Sequence, residues 1–393
     1  MSWHEATIGE FVEIKHGFAF KGEFFDNDGD YVVLTPGNCH NGGGFKSKGE
    51  KEKRYSGEIP PGYLLSKGDL LVVMTDLVGT APVLGGSFLI PEDNFYLHNQ
   101  RLGLVTLKEG AEADLGFLYH LFNTHDYRGQ VRGSASGATV RHTSPSRILA
   151  CKVKVPELAV QKRIASILSA YDDLIENNRR RIALLEEAAR LLYREWFVHF
   201  RFPGHEHVKI VDGVPTGWAK QPISKIWDIS YGKNLPTAKI SISGKYPVHG
   251  ADKIIGFYSE KNVDESLCLV TCRGAGCGNV RRTFGPTFVT NNCFVFRPRM
   301  QPESIRFHFA IHTAQELRMQ EMRTGAAQPQ LTIAGIGHVE ALVPKRELLH
   351  SYNEIVDPIF DQADLLRRQV NALSTARDLL LPRLMDGRVE VAA

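Results

Sequence analysis

The sequence predicts a mixed α/β fold in which two β-rich domains in tandem are separated by two long helices packed as an antiparallel coiled coil. Three observations predict this fold. A narrow apolar series runs through one long segment, and it returns 188 positions later without a gap. The segment before each series is rich in short β-like runs punctuated by glycine. The chain is therefore expected to be an internal repeat with pseudo-twofold symmetry.

The first apolar series lies between residues 161 and 200 and follows alternating steps of three and four residues. Its members are Leu168, Tyr171, Ile175, Ile182, Leu185, Ala189, Leu192 and Trp196, with Asn178 as the polar member. Such a narrow stripe suits a coiled coil better than the broad apolar face of a globular helix. At about 1.5 Å per residue, a helix of this length would reach about 60 Å.

The second series repeats the first in the same register, 188 positions later. Its members are Val356, Ile359, Ala363, Leu366, Val370, Leu373, Arg377, Leu380 and Leu384. Each apolar series forms a narrow stripe, or seam, along its helix. Two such seams in one chain can bury each other, and their tandem order favours an antiparallel pair. Arg377 places a charge on the seam, so the sequence leaves open what this side chain faces. Polar residues in such a seam can set its register at a cost in stability.

The globular segments repeat as well, with an offset that falls along the chain. Trp3 and Gly17 match Trp218 and Gly232 at an offset of 215, whereas the later matches fall to 197, 192 and 188. These later matches are Leu70–Met74 with Leu267–Thr271, His98–Gln100 with Thr290–Asn292, and Gly137-Ala138 with Gly325-Ala326. An offset that only falls indicates one ancestral unit whose loops are longer in the first copy.

These matches predict four consecutive segments. They are an N-terminal β-rich domain (residues 1–155), a first long helix (156–202), a C-terminal β-rich domain (203–343) and a second long helix with a short tail (344–393). The hydrophobic fraction of 43% and the charged fraction of 23% are those of a globular protein. No signal peptide, no run of 18 apolar residues and no paired cysteine spacing is present, so we expect a cytoplasmic protein with reduced thiols and no membrane partner.

Three stretches resemble the specificity subunits (S, or HsdS) of type I restriction-modification systems. They are Leu191–Val198 followed by Phe202-Pro203, the C-terminal run Leu380–Gly387, and Pro156 followed by Gln161 and Ile164. The resemblance implies that the β-rich domains are target-recognition domains, each reading one half of a bipartite asymmetric site in double-stranded DNA. It implies that the helices set the half-site spacing and dock two methyltransferase subunits, through which restriction subunits bind. It also implies no catalytic residues and no cofactor in this chain. S-adenosylmethionine, ATP and Mg²⁺ would act in the partner subunits, which together methylate adenine at N6 and cleave DNA.

Local charge supports a role in DNA binding, although the net charge is only +3. Residues 270–330 contain eight arginines, no lysine and three acids, and residues 127–147 contain four arginines and no acid. Arginine, asparagine and glutamine side chains contact phosphates and base edges. The candidates in the first copy are His98, Asn99, Gln100, Arg101, Arg128, Arg132, Arg141 and His142. Those in the second copy are Arg273, Arg281, Arg282, Asn291, Asn292, Arg318, Arg323, Gln328 and Gln330.

Two other classes of function stay open at this point: an enzyme that modifies or cleaves DNA by itself, and a coiled-coil adaptor without sequence preference. The strand that runs into Gly274, Gly276 and Gly278 resembles a nucleotide-binding turn, but a second strand follows it and a helix does not. We therefore predict a glycine-rich hairpin. Cys268, Cys272 and Cys277 lack the spacing of a zinc knuckle, so we predict buried thiols and no metal site.

Overall fold

The computed structural model describes residues 3–301, 303–325 and 328–391, apart from the side chain of Glu50. The chain folds into two compact units. Unit 1 comprises residues 1–178 and 368–393, and unit 2 comprises residues 179–367. Each unit therefore combines one globular part with one section of each long helix. The four consecutive segments predicted from the sequence do not describe this grouping.

The first globular part consists of short strands and short helices. The strands are β1 (Trp3–Thr7), β2 (Val12–His16), β3 (Phe25–Asp26), β4 (Tyr31–Val33), β5 (Arg54–Tyr55), β6 (Leu70–Val73), β7 (Thr75–Asp76), β8 (Ser87–Leu89), β9 (Tyr96–Leu97), β10 (Leu102–Leu107), β11 (Arg141–His142) and β12 (Lys152–Pro156). The helices are α1 (Ile8–Phe11), α2 (Leu115–Leu121), α3 (His125–Ser134) and α4 (Pro145–Leu149), after which the long helix α5 spans Leu158–Tyr193. Single 3₁₀ turns lie at Gly22–Phe24, Pro36–Asn38 and Gly49–Lys51.

An antiparallel sheet with the strand order β2-β10-β6-β8 forms the centre of unit 1. Its strand β6 is buried on both faces, since Leu70 and Val72 pack into the cluster that contains α2 and α3, while Leu71 and Val73 pack into a second cluster. A strand covered on both sides has no polar face, which explains its uninterrupted apolar sequence. A smaller sheet has the order β3-β5-β4-β9, with β4 and β9 parallel. Strand β1 pairs with β12, the strand that leads into α5.

The second globular part has a related set of elements. Its strands are β13 (Ile210–Val211), β14 (Val214–Pro215), β15 (Ala219–Pro222), β16 (Trp227–Tyr231), β17 (Tyr246–His249), β18 (Ile254–Tyr258), β19 (Cys268–Thr271), β20 (Val280–Arg282), β21 (Phe288–Val289), β22 (Cys293–Pro298) and β23 (Glu340–Val343). Its helices are α6 (Ile223–Ile226), α7 (Phe307–Glu316) and α8 (Ile333–Gly337), and the second long helix α9 spans Arg346–Met385. Single 3₁₀ turns lie at His205–His207, Thr237–Lys239 and Met319–Met322, and a π-helical turn, Arg194–Val198, continues α5.

The sheets of unit 2 repeat the topology of unit 1, which confirms the predicted internal repeat. The order β16-β22-β19-β20 corresponds to β2-β10-β6-β8, the pair β15-β23 to β1-β12, and the parallel pair β17-β21 to β4-β9. The connection before the central strand runs over residues 34–69 in unit 1 but only over residues 250–267 in unit 2. The fall in the offset from 215 to 197 therefore comes from this loop, which is longer in the first copy.

The two long helices pair antiparallel within each unit, as predicted. In unit 1, Leu168 of α5 shares a core with Leu384 of α9, and ten residues further along α5 the amide of Asn178 meets Gln369 at 3.5 Å. In unit 2, Glu186 binds Arg367, while Trp196 packs on Tyr352 with ring centroids 5.8 Å apart. In both units, residues further along α5 contact residues that come earlier in α9, so the two helices run antiparallel. The predicted seam residues Leu168, Ile175, Val356 and Leu366 are buried, and Tyr171, Ile182, Leu185, Leu192, Ile359, Val370, Leu373 and Leu380 are half-buried.

Arg377, the charged member of the second series, has its partner within unit 1. Its Nη1 lies 2.5 Å from Oδ1 of Asp172, and Oδ2 of Asp172 accepts a hydrogen bond from the Tyr119 hydroxyl at 3.3 Å. The repeat-equivalent positions in unit 2 hold Ala189 and Phe360, both buried in an apolar cluster. One copy of the repeat thus fills this seam position with an ion pair and the other fills it with apolar side chains.

Candidate nucleic-acid interface

Two loops meet at the end of the central strand β6 in unit 1. The loop that follows β6 continues as β7, and β7 pairs antiparallel with β11, so that Asp76 faces Arg141 and Thr75 faces His142. The second loop connects α3 to β11, and an isolated β-bridge between Ser136 and His142 closes it. Gly137 lies at the turn of this loop with φ +89°, a conformation that L side chains rarely adopt. The basic segment of residues 127–147 is thereby held beside the end of the central strand.

The corresponding loops meet in the same way in unit 2. Arg273, just after β19, forms an antiparallel bridge with Gln330, and Gln330 bridges to Thr324. Gly325 has φ +87°, like its counterpart Gly137, whereas Ala326, the other member of the matched dipeptide, lies outside the described residues. The structure therefore places an arginine-bearing loop beside the end of the central strand in both copies.

Several predicted DNA contacts reach solvent. Gln100 and His142 in unit 1 are exposed, as are Arg273, Arg318, Arg323, Gln328 and Gln330 in unit 2. Asn99, Arg101, Arg132, Arg141, Asn291 and Asn292 are half-buried. Some of this group have local partners: the Asn99 Oδ1 accepts the backbone N–H of Arg101 at 3.0 Å, and the Arg141 guanidinium donates to the Arg132 carbonyl at 2.8 Å. Their assignment as DNA contacts stays a prediction.

The structure corrects the assignment of two candidates in unit 1, because their side chains point into the protein. His98 is fully buried, and its Nε2 donates to the Leu102 carbonyl at 2.9 Å, which requires the proton on Nε2. Burial lowers the pKa of His98 to about 4, so the ring is neutral at pH 7. Arg128 is also buried and donates to the carbonyls of Asn41 and Pro82. Both side chains hold loops in place and do not face a duplex.

Two arginines of the second copy are corrected for the same reason. Arg282 is buried and binds Asp364 of α9, with its guanidinium also over the rings of Phe284, Phe307 and Phe360 at 4.5–5.1 Å. Arg281 is half-buried, and its Nη2 donates to the carbonyls of Gly250 and Ala251 at 2.6 and 2.7 Å. These arginines therefore brace β20 against α9 and against the turn after β17.

Four lysines that were not among the predicted DNA contacts also lie at the surface of unit 2. Lys233, Lys239, Lys245 and Lys253 are exposed around β17 and β18 in unit 2. Residues 233–253 contain only one acid, Asp252. A charge count extended to this segment would have found them, whereas the count over residues 270–330 did not reach it.

The glycine-rich loop of unit 2 is a hairpin, as predicted. Strand β19 pairs antiparallel with β20, so that Val270 faces Val280, and the loop leads into a strand and not into a helix. The nearby cysteines Cys268, Cys272 and Cys277 are free and buried, which confirms the prediction of buried thiols. Burial raises the pKa of Cys272 to about 12, so it is a thiol at pH 7. Among the described residues, no group of three or more histidine, cysteine, aspartate or glutamate side chains is arranged to hold a metal ion.

The tandem β-rich units and the pair of long helices define the class of fold, and comparisons with known proteins identify the family. A model described as "Type I restriction modification DNA specificity domain" matches residues 1–187 and 215–373. The chain belongs to this family. It is a sequence-specificity subunit of the type I restriction-modification class, and its relatives are named as specificity subunits, which agrees with a non-catalytic role.

Individual relatives support the same family over most of the chain. The type I restriction enzyme MjaIX specificity subunit of Methanocaldococcus jannaschii is 25% identical over 75% of this chain and 73% of its own length. The EcoprrI specificity subunit of Escherichia coli is 24% identical over 79% of this chain and 76% of its own. The crystal structure of the S subunit from M. genitalium covers 100% of this chain and 97% of that one, with a TM-score of 0.60 and 19% identity. This last similarity concerns the fold. In the part of the chain that the structure describes, no helix has the length and apolar character needed to cross a membrane.

Proposed function

We propose that each unit reads one half of a bipartite asymmetric site in double-stranded DNA. The observation that carries this proposal is that the same pair of loops is built twice on the same sheet topology but with different side chains. The tip after the central strand carries Asp76, Leu77 and Val78 in unit 1, whereas the equivalent positions in unit 2 carry Arg273 and two small residues. Side chains at such positions would read base edges, while nearby arginines and backbone amides grip phosphates.

An exchange of loops tests this proposal. Residues 76–80 would be replaced by residues 273–277, and the sequence methylated in a host that carries the variant would be determined by methylome sequencing. We expect one half of the methylated site to change while the other half and the spacer stay the same. A change in both halves, or an unchanged site with normal methylation, would contradict the proposal.

The helix pair would set the length of the nonspecific spacer between the half-sites. Support comes from the continuity of α5 and α9, each of which contributes to both units. Inserting one helical turn of about four residues in both helices, next to the Asn178–Gln369 contact, would lengthen the pair by about 6 Å. We expect the preferred spacer to grow by one to two base pairs, given the rise of 3.4 Å per base pair along one strand. A variant that keeps the parental spacer would refute this role.

The helices would also dock two methyltransferase subunits, one on each copy of the repeat. The best-supported contact is a leucine that is exposed in both copies at equivalent positions. Leu191 on α5 in unit 2 and Leu379 on α9 in unit 1, 188 positions apart, are 48% and 60% exposed. Two equivalent apolar contacts favour two copies of one partner, since the same surface is presented twice.

Single substitutions test the stoichiometry. We expect Leu191→Ser and Leu379→Ser each to lower the number of bound methyltransferase subunits from two to one, as measured by native mass spectrometry of the co-expressed complex. Leu184→Ser is the matched control, because Leu184 is 69% exposed but its repeat equivalent is Ala372. If the control lost a subunit and the two variants did not, the repeated leucines would not be the docking points.

In the assembled complex, the methyltransferase subunits would use S-adenosylmethionine to methylate adenine at N6. Restriction subunits, bound through them, would use ATP and Mg²⁺ to cleave DNA. This chain would bind DNA and hold none of these cofactors. We expect the purified chain alone to shift a duplex that contains the target in a gel, but to transfer no methyl group when S-adenosylmethionine is added. Methyl transfer by the chain alone would overturn this division of labour.

A further inference from the structure

The loop tip after the central strand of unit 1 carries two adjacent apolar side chains that reach solvent. Leu77 and Val78 are 55% and 52% exposed, whereas Thr75 and Asp76 just before them are buried. Single exposed apolar residues are ordinary on protein surfaces. Two in sequence, at the tip of a loop within the candidate DNA interface, are a feature for which the packing of the unit gives no reason.

The tip is held rigidly by its own hydrogen bonds. The buried Asp76 carboxylate accepts the backbone N–H of Val78 at 3.0 Å and that of Val83 at 2.7 Å, and the Ala81 N–H donates to the Val78 carbonyl at 2.8 Å. The pairing of Asp76 with Arg141 then fixes the tip against β11. Leu77 and Val78 therefore need little ordering before they bind, which lowers the entropic cost of a contact.

The surroundings of the tip suit a nucleic acid. The neighbouring loop presents Thr139 and His142 to solvent and half-buries Arg141, while Arg147 is exposed and donates to the Ser136 hydroxyl at 3.3 Å. Residues 127–147 contain no acid, and the Asp76 charge faces backbone N–H groups inside the unit. An apolar tip beside a basic loop fits a partner whose backbone is negatively charged and whose grooves contain apolar groups.

We propose that Leu77 and Val78 contact the 5-methyl groups of thymine in the major groove of the half-site that unit 1 reads. In the major groove, thymine is the base that presents a methyl group, and aliphatic side chains recognise it by direct contact. Arginines of the adjacent loop would bind the flanking phosphates and hold the tip in the groove. This inference rests on the proposed reading of one half-site by each unit.

The repeat makes this contact specific to one half of the site. The positions equivalent to Leu77 and Val78 in unit 2 are Gly274 and Ala275, which have no long aliphatic side chain, and Arg273 precedes them. Unit 2 therefore has no counterpart of the apolar tip at this place. The two half-sites would differ in composition here, with thymine contacted through its methyl group in one and not in the other.

Replacing thymine by uracil tests the contact atom by atom, since the two bases differ only in the methyl group. The complex of this chain with its methyltransferase would be titrated with duplexes that carry one such replacement at each thymine of both half-sites. We expect one or two replacements in a single half-site to weaken binding by about fourfold each, as for one buried methyl group. The Leu77→Ser/Val78→Ser variant should bind more weakly, and the same uracil replacements should not weaken its binding further. The conservative variant Leu77→Met keeps an apolar side chain at the tip, so uracil should still weaken its binding.

Leu107→Ser is the matched control. Leu107 is 41% exposed and lies at the far end of β10, about 17 Å along the strand from Leu102. This variant should keep the full response to uracil. The proposal is overturned if no replacement weakens binding of the unaltered chain, or if the double variant responds as the unaltered chain does. It is also overturned if the half-site that unit 1 reads contains no thymine. The same holds if the double variant no longer binds the methyltransferase but keeps its base preference. In each of these cases the loop exchange still tests the reading of half-sites independently.

Discussion

Arg377 and Asp172 provide the sharpest test of how the helix seam is stabilised. Their side chains are 25% and 23% exposed, and Nη1 of the arginine lies 2.5 Å from Oδ1 of the aspartate. Replacing Arg377 by methionine keeps most of the apolar volume but leaves the Asp172 carboxylate with the Tyr119 hydroxyl, at 3.3 Å, as its remaining side-chain partner among the described residues. The variant therefore isolates the loss of the cation.

The expected cost follows from the burial of the pair. Removing one partner of a fully buried ion pair costs about 3–5 kcal/mol, and a pair on the surface contributes about 0–1 kcal/mol. With three quarters of both side chains covered, we expect Arg377→Met to lower the free energy of opening of this part of unit 1 by about 2–3 kcal/mol.

A second substitution should restore most of that loss. The repeat-equivalent positions in unit 2, Ala189 and Phe360, are apolar and buried, so the geometry of the seam accepts an apolar pair. Replacing a buried ion pair by apolar side chains of similar volume is often neutral or stabilising. We expect Asp172→Leu combined with Arg377→Met to return to within about 1 kcal/mol of the unaltered chain.

Hydrogen exchange measured by mass spectrometry suits this test, because it reports opening of a local segment in a chain with two units. Amides of residues 165–178 and 370–382 should exchange roughly 30- to 150-fold faster in Arg377→Met, since about 1.4 kcal/mol corresponds to a factor of ten. Arg388→Met is the control, because Arg388 and its partner Asp386 are largely exposed. The reasoning is refuted if Arg377→Met exchanges no faster than this control, or if the double variant is no more stable than either single variant.

Three further predictions concern other parts of the fold. A methyl group on Gly17 would lie 2.1 Å from the Asn99 carbonyl oxygen, so Gly17→Ala should displace that loop and cost about 2–3 kcal/mol in thermal or urea unfolding. Asp364→Ala should leave the buried Arg282 guanidinium without its counter-ion and cost about 3–4 kcal/mol, measured by hydrogen exchange in β20. Burial lowers the pKa of His312 to about 3, so its stabilising effect is complete above pH 6.5 and is lost progressively as the pH falls towards 3. Between pH 7 and pH 5 this histidine should account for a loss of about 2 kcal/mol, which His312→Gln should remove.

Each of these predictions has a control within the same unit. Gly22→Ala should be tolerated, because no atom lies within 4 Å of the added methyl group. Asp228→Ala breaks an exposed pair with Arg299, and it should cost less than about 1 kcal/mol. For the pH dependence, the matched variant is His350→Gln, at an exposed histidine on α9 in the same unit. Equal effects in a variant and its control would contradict the mechanism given for that variant.

The sequence was sufficient to predict the internal repeat, the two helices and their antiparallel pairing. These features depend on local periodicity and on the return of the apolar series 188 positions later without a gap. The strand Leu70–Val73 was also predictable, because a strand covered on both faces is apolar throughout. The sequence likewise singled out residues 127–147 through their arginines, and the loop after β19 in unit 2 through Gly274, Gly276 and Gly278.

Which cations face inward was decided by the tertiary structure. The carbonyls that bind Arg128 belong to Asn41 and Pro82, and the carboxylate that binds Arg282 belongs to Asp364, 82 positions further along the chain. A charge count along the chain cannot separate such arginines from those that reach solvent, because the partners come from distant segments.

The helix seam illustrates the same division. The sequence alone determined that Arg377 lies on the seam, since its position follows from the spacing of the apolar residues around it. Only the tertiary structure decided that Asp172, on the other helix, lies opposite it, since the pairing depends on the register of two antiparallel helices. Local sequence periodicity thus determines which residues share a face, whereas the packing of distant segments determines what each face meets.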